Sequence, residues 1–233
     1  MGTFLVTGAA KRLGAAMSEH LAKLGYDLIL HYRESKTLVE ALQKKIEKEY
    51  GRKVRLIQKD LVSEPEGLVG ECLALAPDLA GLINNASIFT RGNLGDTAHF
   101  ETLLRVNAVV PQKLSSDFHK LVGRGHIVNI VDALIADYNV HFQNYRISKS
   151  LLEDLTLQSA RHFAPKIRVN GIAPGPILAA EGDTKGEFDQ VVKRTPLGFS
   201  PGVSAIVDCL DFILRSEFLT GQILYADSGQ HLS

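Results

Sequence analysis

The 233-residue sequence predicts an α/β protein, one parallel β-sheet of about seven strands with helices on both faces. Three observations predict it. Short apolar runs alternate with longer amphipathic stretches from end to end, the signature of repeated βαβ units. The runs "LINN" (82–85) and "IVNIV" (127–131) are apolar with little alternation, as in strands covered on both faces. The first two helical stretches stop on Gly25 and Gly51, where the chain must turn back toward the sheet.

Each element follows from its residues. "TFLV" (3–6) is the first strand and runs into Gly8. "AAMSEHLAKLG" (15–25) puts Met17, Leu21 and Leu24 on one helical face, and "YDLILHY" (26–32) is the second strand. In "SKTLVEALQKKIEKEYG" (35–51), Leu38, Leu42, Ile46 and Tyr50 recur four apart, which reads as an amphipathic helix. "KVRLIQKDL" (53–61) is the third strand, and a helix runs through "LVGECLALAP" (68–77). "GLINNAS" (81–87) is the fourth strand, and "FETLLRVNAVVPQKLSSDFHKLV" (100–122) reads as one long helix. The fifth strand, "GHIVNIVDA" (125–133), leads to the helix "YRISKSLLEDLTLQSARHFA" (145–164) and the sixth strand, "IRVNGIAPG" (167–175). "GVSAIVDCLDFIL" (202–214) is helical, and "GQILYADSG" (221–229) is the last strand. Around 176–198 the polar stretch containing "EGDTKGEFDQ" (181–190) reads as a long irregular substrate loop. One domain spanning 1–233 is the simplest organisation.

Composition narrows the function. Lys plus Arg equals Asp plus Glu at 26 each, so net charge gives no support to a nucleic-acid-binding surface. No apolar run approaches the ~20 residues of a membrane span. The first residues carry no signal-peptide pattern, and Val6 stands where a myristoylation site wants Ser or Thr. A cytoplasmic protein is expected. Cys72 and Cys209 sit in apolar helical contexts outside any zinc spacing and read as buried free thiols. No metal site is expected.

"TGAAKRLG" (7–14) is the first stretch that carries chemistry. A strand, a glycine turn and a helix make an anion cradle, because the first helical N–H groups lack intrahelical partners and the helix dipole adds positive charge. Gly8 lets a pyrophosphate approach the backbone, and Gly14 lets the helix pack near the strand. The spacing is neither G-x-G-x-x-G nor a Walker loop. Further on, Tyr145 and Lys149 lie four apart in a helical stretch and share a face.

Taken together these segments resemble the short-chain dehydrogenase/reductase family. "TGAAKRLG" resembles its T-G-x-x-x-G-x-G loop, "NNAS" (84–87) its N-N-A-G strand end, and Val106-Asn107 its mid-helix asparagine. "YRISK" (145–149) is its Y-x-x-x-K, and "NGIAPGPI" (170–177) resembles its N-x-x-x-P-G-x-[IV]. The resemblance covers essentially the whole chain. It implies a Rossmann-type doubly wound fold and a nicotinamide dinucleotide. Tyr145 would donate or relay the proton. Lys149 would lower the tyrosine pKa from ~10 and hold the nicotinamide ribose, and Asn107 would support a water chain behind it. Cofactor contacts would come from Gly8, Lys11, Arg12, Leu13 and Gly14, from Asp60 and Leu61, from Asn85, Ala86 and Ser87, and from Pro174, Gly175 and Ile177. For Asp60 two readings stand, an adenine contact or a turn residue before "SEPEG".

Four departures from the family pattern resemble its pteridine-reducing branch. Arg12 replaces the middle glycine of the loop, Ser87 replaces the glycine of N-N-A-G, Phe89 follows two residues on, and Asp132 stands where the catalytic serine belongs. Arg12 with His31, Tyr32, Arg33 and Ser35 of "HYRES" reads as a 2′-phosphate pocket for NADPH. Glu34, about twenty positions past the loop, keeps NAD open. Ser87, Phe89, Asp132, Phe142 and Tyr145 would line a pterin slot. A carboxylate at 132 repels a developing alkoxide, whereas a protonated carboxyl donates a hydrogen bond and an anionic one accepts from ring N–H groups. The expected activity is NADPH-dependent reduction of the C=N bond of a dihydropterin or dihydrofolate. A generic carbonyl reductase of 3-oxoacyl thioesters and a non-catalytic NADP sensor are the alternatives. The expected partners are a small-molecule pterin or folate and further copies of the chain, in a homotetramer packed through the Asn107 and Tyr145 helices.

Overall fold

The computed structural model describes residues 1–136, 140–180 and 185–232. Its strands are β1 (Thr3–Val6), β2 (Asp27–Tyr32), β3 (Val54–Gln58), β4 (Leu79–Asn84), β5 (Gly125–Ile130), β6 (Ile167–Pro174) and β7 (Ile223–Ala226). They form one seven-stranded parallel sheet in the order β3-β2-β1-β4-β5-β6-β7.

The two-residue period of the strands sorts the core into two layers. Phe4, Val6, Leu28 and Leu30 face one side, against Met17 of α1 (Arg12–Lys23), Leu42 of α2 (Lys36–Tyr50) and Ile206 on a helix after β6. Leu5, Ile29, Leu82 and Ile127 face the other, against Val69 of α3 (Leu68–Leu75) and two helices further along the chain. With both faces of the central strands buried, their runs need no polar alternation. The strand order reverses between β1 and β4. Connections there leave to opposite faces and open a crevice at the carboxyl ends of the strands.

The helix expected over 100–122 is three pieces: α4 (Thr97–Leu104), a π-helical turn (Arg105–Val109) and α5 (Val110–Leu121). Pro111 has no N–H to offer the Asn107 carbonyl four residues back, so the regular ladder cannot run through this point. Asn107 lies in the widened turn. Asp96 starts α4, accepting the His99 N–H at 3.0 Å. The long helix α6 (Gln143–Phe163) carries the Tyr145/Lys149 face. The stretch expected to be irregular contains α7 (Lys185–Arg194), and the chain then forms α8 (Gly202–Arg215). Residues 181–184 of the expected substrate loop lie outside the described residues. On α2 the buried stripe is Val39, Leu42 and Ile46 rather than one beginning at Leu38, which is 51% exposed; the true helical period of 3.6 selects Val39 over Leu38. Cys72 is a buried free thiol in α3, while Cys209 in α8 is only half-buried.

Candidate active site

A cleft of about 970 Å³ opens at the carboxyl ends of the strands. Every residue expected to bind cofactor or substrate lines it, and Asn107 alone of the expected site residues does not.

The β1–α1 turn is built as an anion cradle. Gly8 has φ +61°, and a Cβ there would come within 3.0 Å of the Ala86 backbone. A Cβ on Gly14 would fall 2.3 Å from the Gly8 carbonyl. Asn85 holds the turn by donating to the Thr7 and Gly8 carbonyls at 2.9 and 3.0 Å. Lys11 precedes α1 without a side-chain cap, so the helix start is left for a ligand. Arg12 sits at φ +55°, the left-handed region that a glycine would enter freely, and the family pattern places glycine there. The expected reach of Arg12 to a 2′-phosphate changes: its Nη2 donates to the Leu178 carbonyl at 3.4 Å, on the loop after β6.

The "HYRES" end of β2 divides. His31 is 3% exposed and has both ring nitrogens engaged. Nδ1 accepts the Gly8 N–H at 3.2 Å, and Nε2 faces the Lys59 carbonyl at 2.9 Å and so carries the proton. Burial lowers its pKa, which keeps it neutral. His31 therefore buttresses the glycine turn and is no phosphate ligand. Tyr32 is packed in the core. Arg33 and Ser35 remain at the cleft, with Ser35 at the uncapped start of α2. Glu34 is largely exposed and pairs with Arg33 at 3.0 Å. Asp60 is a turn residue, its Oδ1 accepting the Val62 N–H at 2.9 Å, and it also lines the cleft beside buried Leu61.

At the other end, Tyr145 donates to Asp132 Oδ2 at 2.6 Å. Asp132 Oδ1 accepts the Leu134 N–H at 2.8 Å. Lys149, one turn from Tyr145 and 3% exposed, donates to the Ile130 carbonyl at 2.8 Å. Burial raises the Asp132 pKa, with the Tyr145 hydrogen bond opposing it. Burial first, and then the Asp132 charge, push the Tyr145 phenol well above its ordinary range. This corrects the expected tyrosine lowered by Lys149: Asp132 is the nearer charge, and it holds the proton on oxygen. Burial brings Lys149 down to about 8.

Asn107 also differs from expectation. Its Oδ1 accepts from Ser87 Oγ and the Ile88 N–H at 3.1 and 2.9 Å, and its Nδ2 donates to the Ile88 carbonyl and Ser148 Oγ at 2.9 and 3.1 Å. The hydrogen-bonding capacity of its side chain is spent on fixing the β4 strand end against α6, so a water chain behind Lys149 would fall to its backbone carbonyl, to which Pro111 offers no N–H. Ser87, so held, lies beside the Tyr145 phenol. Phe89, 41% exposed in the cleft, stacks on Phe142 at 4.9 Å and meets Tyr145 edge-on at 4.7 Å. Sequence reasoning missed the Ile130 and Leu178 carbonyls, for which residue type carries no signal. It also missed Arg91 beside the aromatic pair, whose nearness to Phe89 in the chain was a usable one.

A nucleotide-type cradle joined to a buried Tyr-x-x-x-Lys face defines a dinucleotide-dependent oxidoreductase, and the chain belongs to the short chain dehydrogenase family, whose match spans residues 2–189. It is 28% identical over 238 residues to a dihydromonapterin reductase of Escherichia coli O6:K15:H31 (strain 536 / UPEC), a match covering 98% of this chain and 96% of that protein. The dihydromonapterin reductase of Klebsiella pneumoniae subsp. pneumoniae is 27% identical with the same coverage. Among solved structures, FolM alternative dihydrofolate reductase 1 from Brucella suis, in complex with NADP, superimposes with a TM-score of 0.94 at 33% identity, covering 100% of this chain and 96% of that one. The Brucella canis protein, also complexed with NADP, gives 0.94 at 32% identity, with 100% and 94% covered.

Proposed function

We propose that this protein is an NADPH-dependent pteridine reductase that converts a dihydropterin or dihydrofolate to its tetrahydro form. The observation that carries the reading is the Tyr145–Asp132 bond of 2.6 Å beside the exposed ring of Phe89. A carbonyl reductase needs a hydroxyl at position 132 to hold the substrate oxygen, and a carboxylate there would repel the alkoxide. A pterin instead presents N–H groups and a ring nitrogen that must gain a proton.

The cradle fits a dinucleotide. Gly8, Gly14 and the uncapped start of α1 would hold the pyrophosphate, and Arg33 with the start of α2 at Ser35 would hold the 2′-phosphate. The described cleft-lining residues include seven Lys or Arg side chains against four carboxylates, an anion-seeking surface in a chain of zero net charge. NADPH supplies the hydride when bound. Tyr145 keeps its proton at neutral pH and so is a donor to the imine nitrogen. Asp132 holds the phenol in place and orients the ring edge, and the Lys149 cation offsets the charge left behind. Ser87, tied to Asn107, lines the other side of the phenol, and Phe89 covers the ring.

We place the protein in the cytoplasm as a homotetramer. No described helix is long and apolar enough to cross a membrane. Val109, Leu151 and Leu157 expose apolar surface at and beside the π turn and along α6, as an interface between copies would. Light scattering checks the assembly. The activity is tested by following NADPH oxidation with dihydrobiopterin, dihydromonapterin, dihydrofolate and an acetoacetyl thioester in parallel. Turnover of the pterins alone supports the reading, and turnover of the thioester alone rejects it.

A further inference from the structure

The aromatic slot has a cation fixed at its edge. Arg91 follows Phe89 by two residues, and its guanidinium lies 5.9 Å from the Phe142 ring centroid, within cation–π reach. Among the described residues it has no hydrogen-bond or ion-pair partner, unlike Arg33, Lys59 and Lys149, which also line the cleft.

The backbone that carries Arg91 is pinned on both sides. Thr90 Oγ1 bonds His99 Nε2 at 2.8 Å. The Gly92 N–H donates to the His141 carbonyl at 2.9 Å, and Gly92 pairs with Phe142 in an isolated parallel bridge. Asn144, fully buried, donates to the Asn93 carbonyl at 2.7 Å and to His99 Nδ1 at 3.2 Å. A Cβ on Gly92 would meet the His99 ring at 2.3 Å, so this close seat admits only glycine. The chain thus holds three residues around one solvent-facing arginine at the edge of the aromatic pair in the cleft. Fixing the backbone in advance removes part of the ordering cost of binding.

We propose that Arg91 is a specificity-determining residue that engages an anionic substrate tail. The preferred substrate is then a dihydropterin whose side chain ends in a carboxylate, as in dihydrofolate, rather than one with a neutral polyol tail. The proposal rests on the pteridine-reductase reading of the same cleft. An arginine fork matches a carboxylate in two parallel hydrogen bonds, a geometry that a polyol gains less from.

The test compares steady-state constants for dihydrofolate and dihydromonapterin, with saturating NADPH, in the wild type, Arg91→Gln and Arg91→Lys. Arg91→Gln is expected to raise KM for dihydrofolate about tenfold with kcat unchanged, the size of one charge-assisted contact at a solvent-facing rim and the signature of lost uniform binding. Its constants for dihydromonapterin stay as they are. Arg91→Lys recovers part of the loss. In the wild type, KM for dihydrofolate rises with salt, and in Arg91→Gln it does not. An equal loss on both substrates marks packing on Phe142 and overturns the proposal, as does no loss on either. Turnover of neither substrate by the wild type overturns the functional reading and this inference with it.

Discussion

Replacing Asp132 tests the chemistry at its least ordinary point. The carboxylate makes two contacts, 2.6 Å to the Tyr145 hydroxyl and 2.8 Å to the Leu134 N–H. Asp132→Ala removes both. Tyr145 loses its anchor, and the substrate edge loses its acceptor. A positioned proton donor is worth about 10²–10⁴ in rate, so turnover of a dihydropterin should fall by that range. The cradle lies at the other end of the cleft, so NADPH affinity, read by fluorescence titration, should be unchanged. Asp132→Asn keeps the shape and the Leu134 contact but cannot carry the charge, and it should lose nearly as much. Asp132→Ser restores the general family hydroxyl. It should leave pterin reduction low and raise activity on a simple ketone. The assay is the ratio of the two activities across wild type and variants. Full pterin activity in Asp132→Ser would refute the reasoning, because the carboxylate would then be incidental.

Other predictions follow from single features. Free-enzyme kcat/KM should hold to about pH 8 and decline above it as Lys149 loses its proton, a profile that Lys149→Met abolishes along with turnover. Stability runs the other way. The unfolded lysine, near 10.5, keeps a proton that folded Lys149 has released above about 8, so the melting temperature gains from this group as pH rises between the two values. Arg33→Ala should raise KM for NADPH about ten- to hundredfold and leave NADH alone; equal effects on both would remove Arg33 from the 2′-phosphate. Arg12→Gly relieves a left-handed backbone worth about 1 kcal/mol and should raise the melting temperature of the free protein; a fall would show that its Leu178 contact outweighs the strain. Residues 178–180 and 185–192, flanking the undescribed stretch of the expected substrate loop, should gain protection from hydrogen exchange only when NADPH and substrate are both bound, and equal protection with and without ligands would rule out a substrate-loop role for them.

The parallel sheet was legible because apolar periodicity is a local property of the chain, and the placing of Tyr145, Lys149, Asp132 and Phe89 in one cleft because their motifs resemble those of a known family. What was not legible depends on partners brought from afar. His31 looked like a phosphate ligand until the Gly8 N–H and the Lys59 carbonyl took both its nitrogens. Arg12 was read toward the end of β2, whereas its side chain, on a left-handed backbone, reaches the Leu178 carbonyl after β6. The Tyr145 pKa was expected to fall because a lysine four residues away is visible in sequence, whereas the contact with Asp132, thirteen residues away, is made by folding. Asn107 was read from a motif, and only the π turn at Pro111 and the four bonds to Ser87, Ile88 and Ser148 show what it holds.

The central claim, hydride transfer to a pterin C=N bond, is tested most directly by one isotope experiment. NADPH carrying deuterium at the transferred position of the nicotinamide is mixed with dihydropterin and excess enzyme for a single turnover, and the product is analysed by mass spectrometry. The account predicts a tetrahydropterin carrying one deuterium, formed at a rate that Asp132→Ala cuts by about 10²–10⁴. Unlabelled or unchanged pterin, with deuterium delivered instead to the carbonyl carbon of an acetoacetyl thioester, would contradict it.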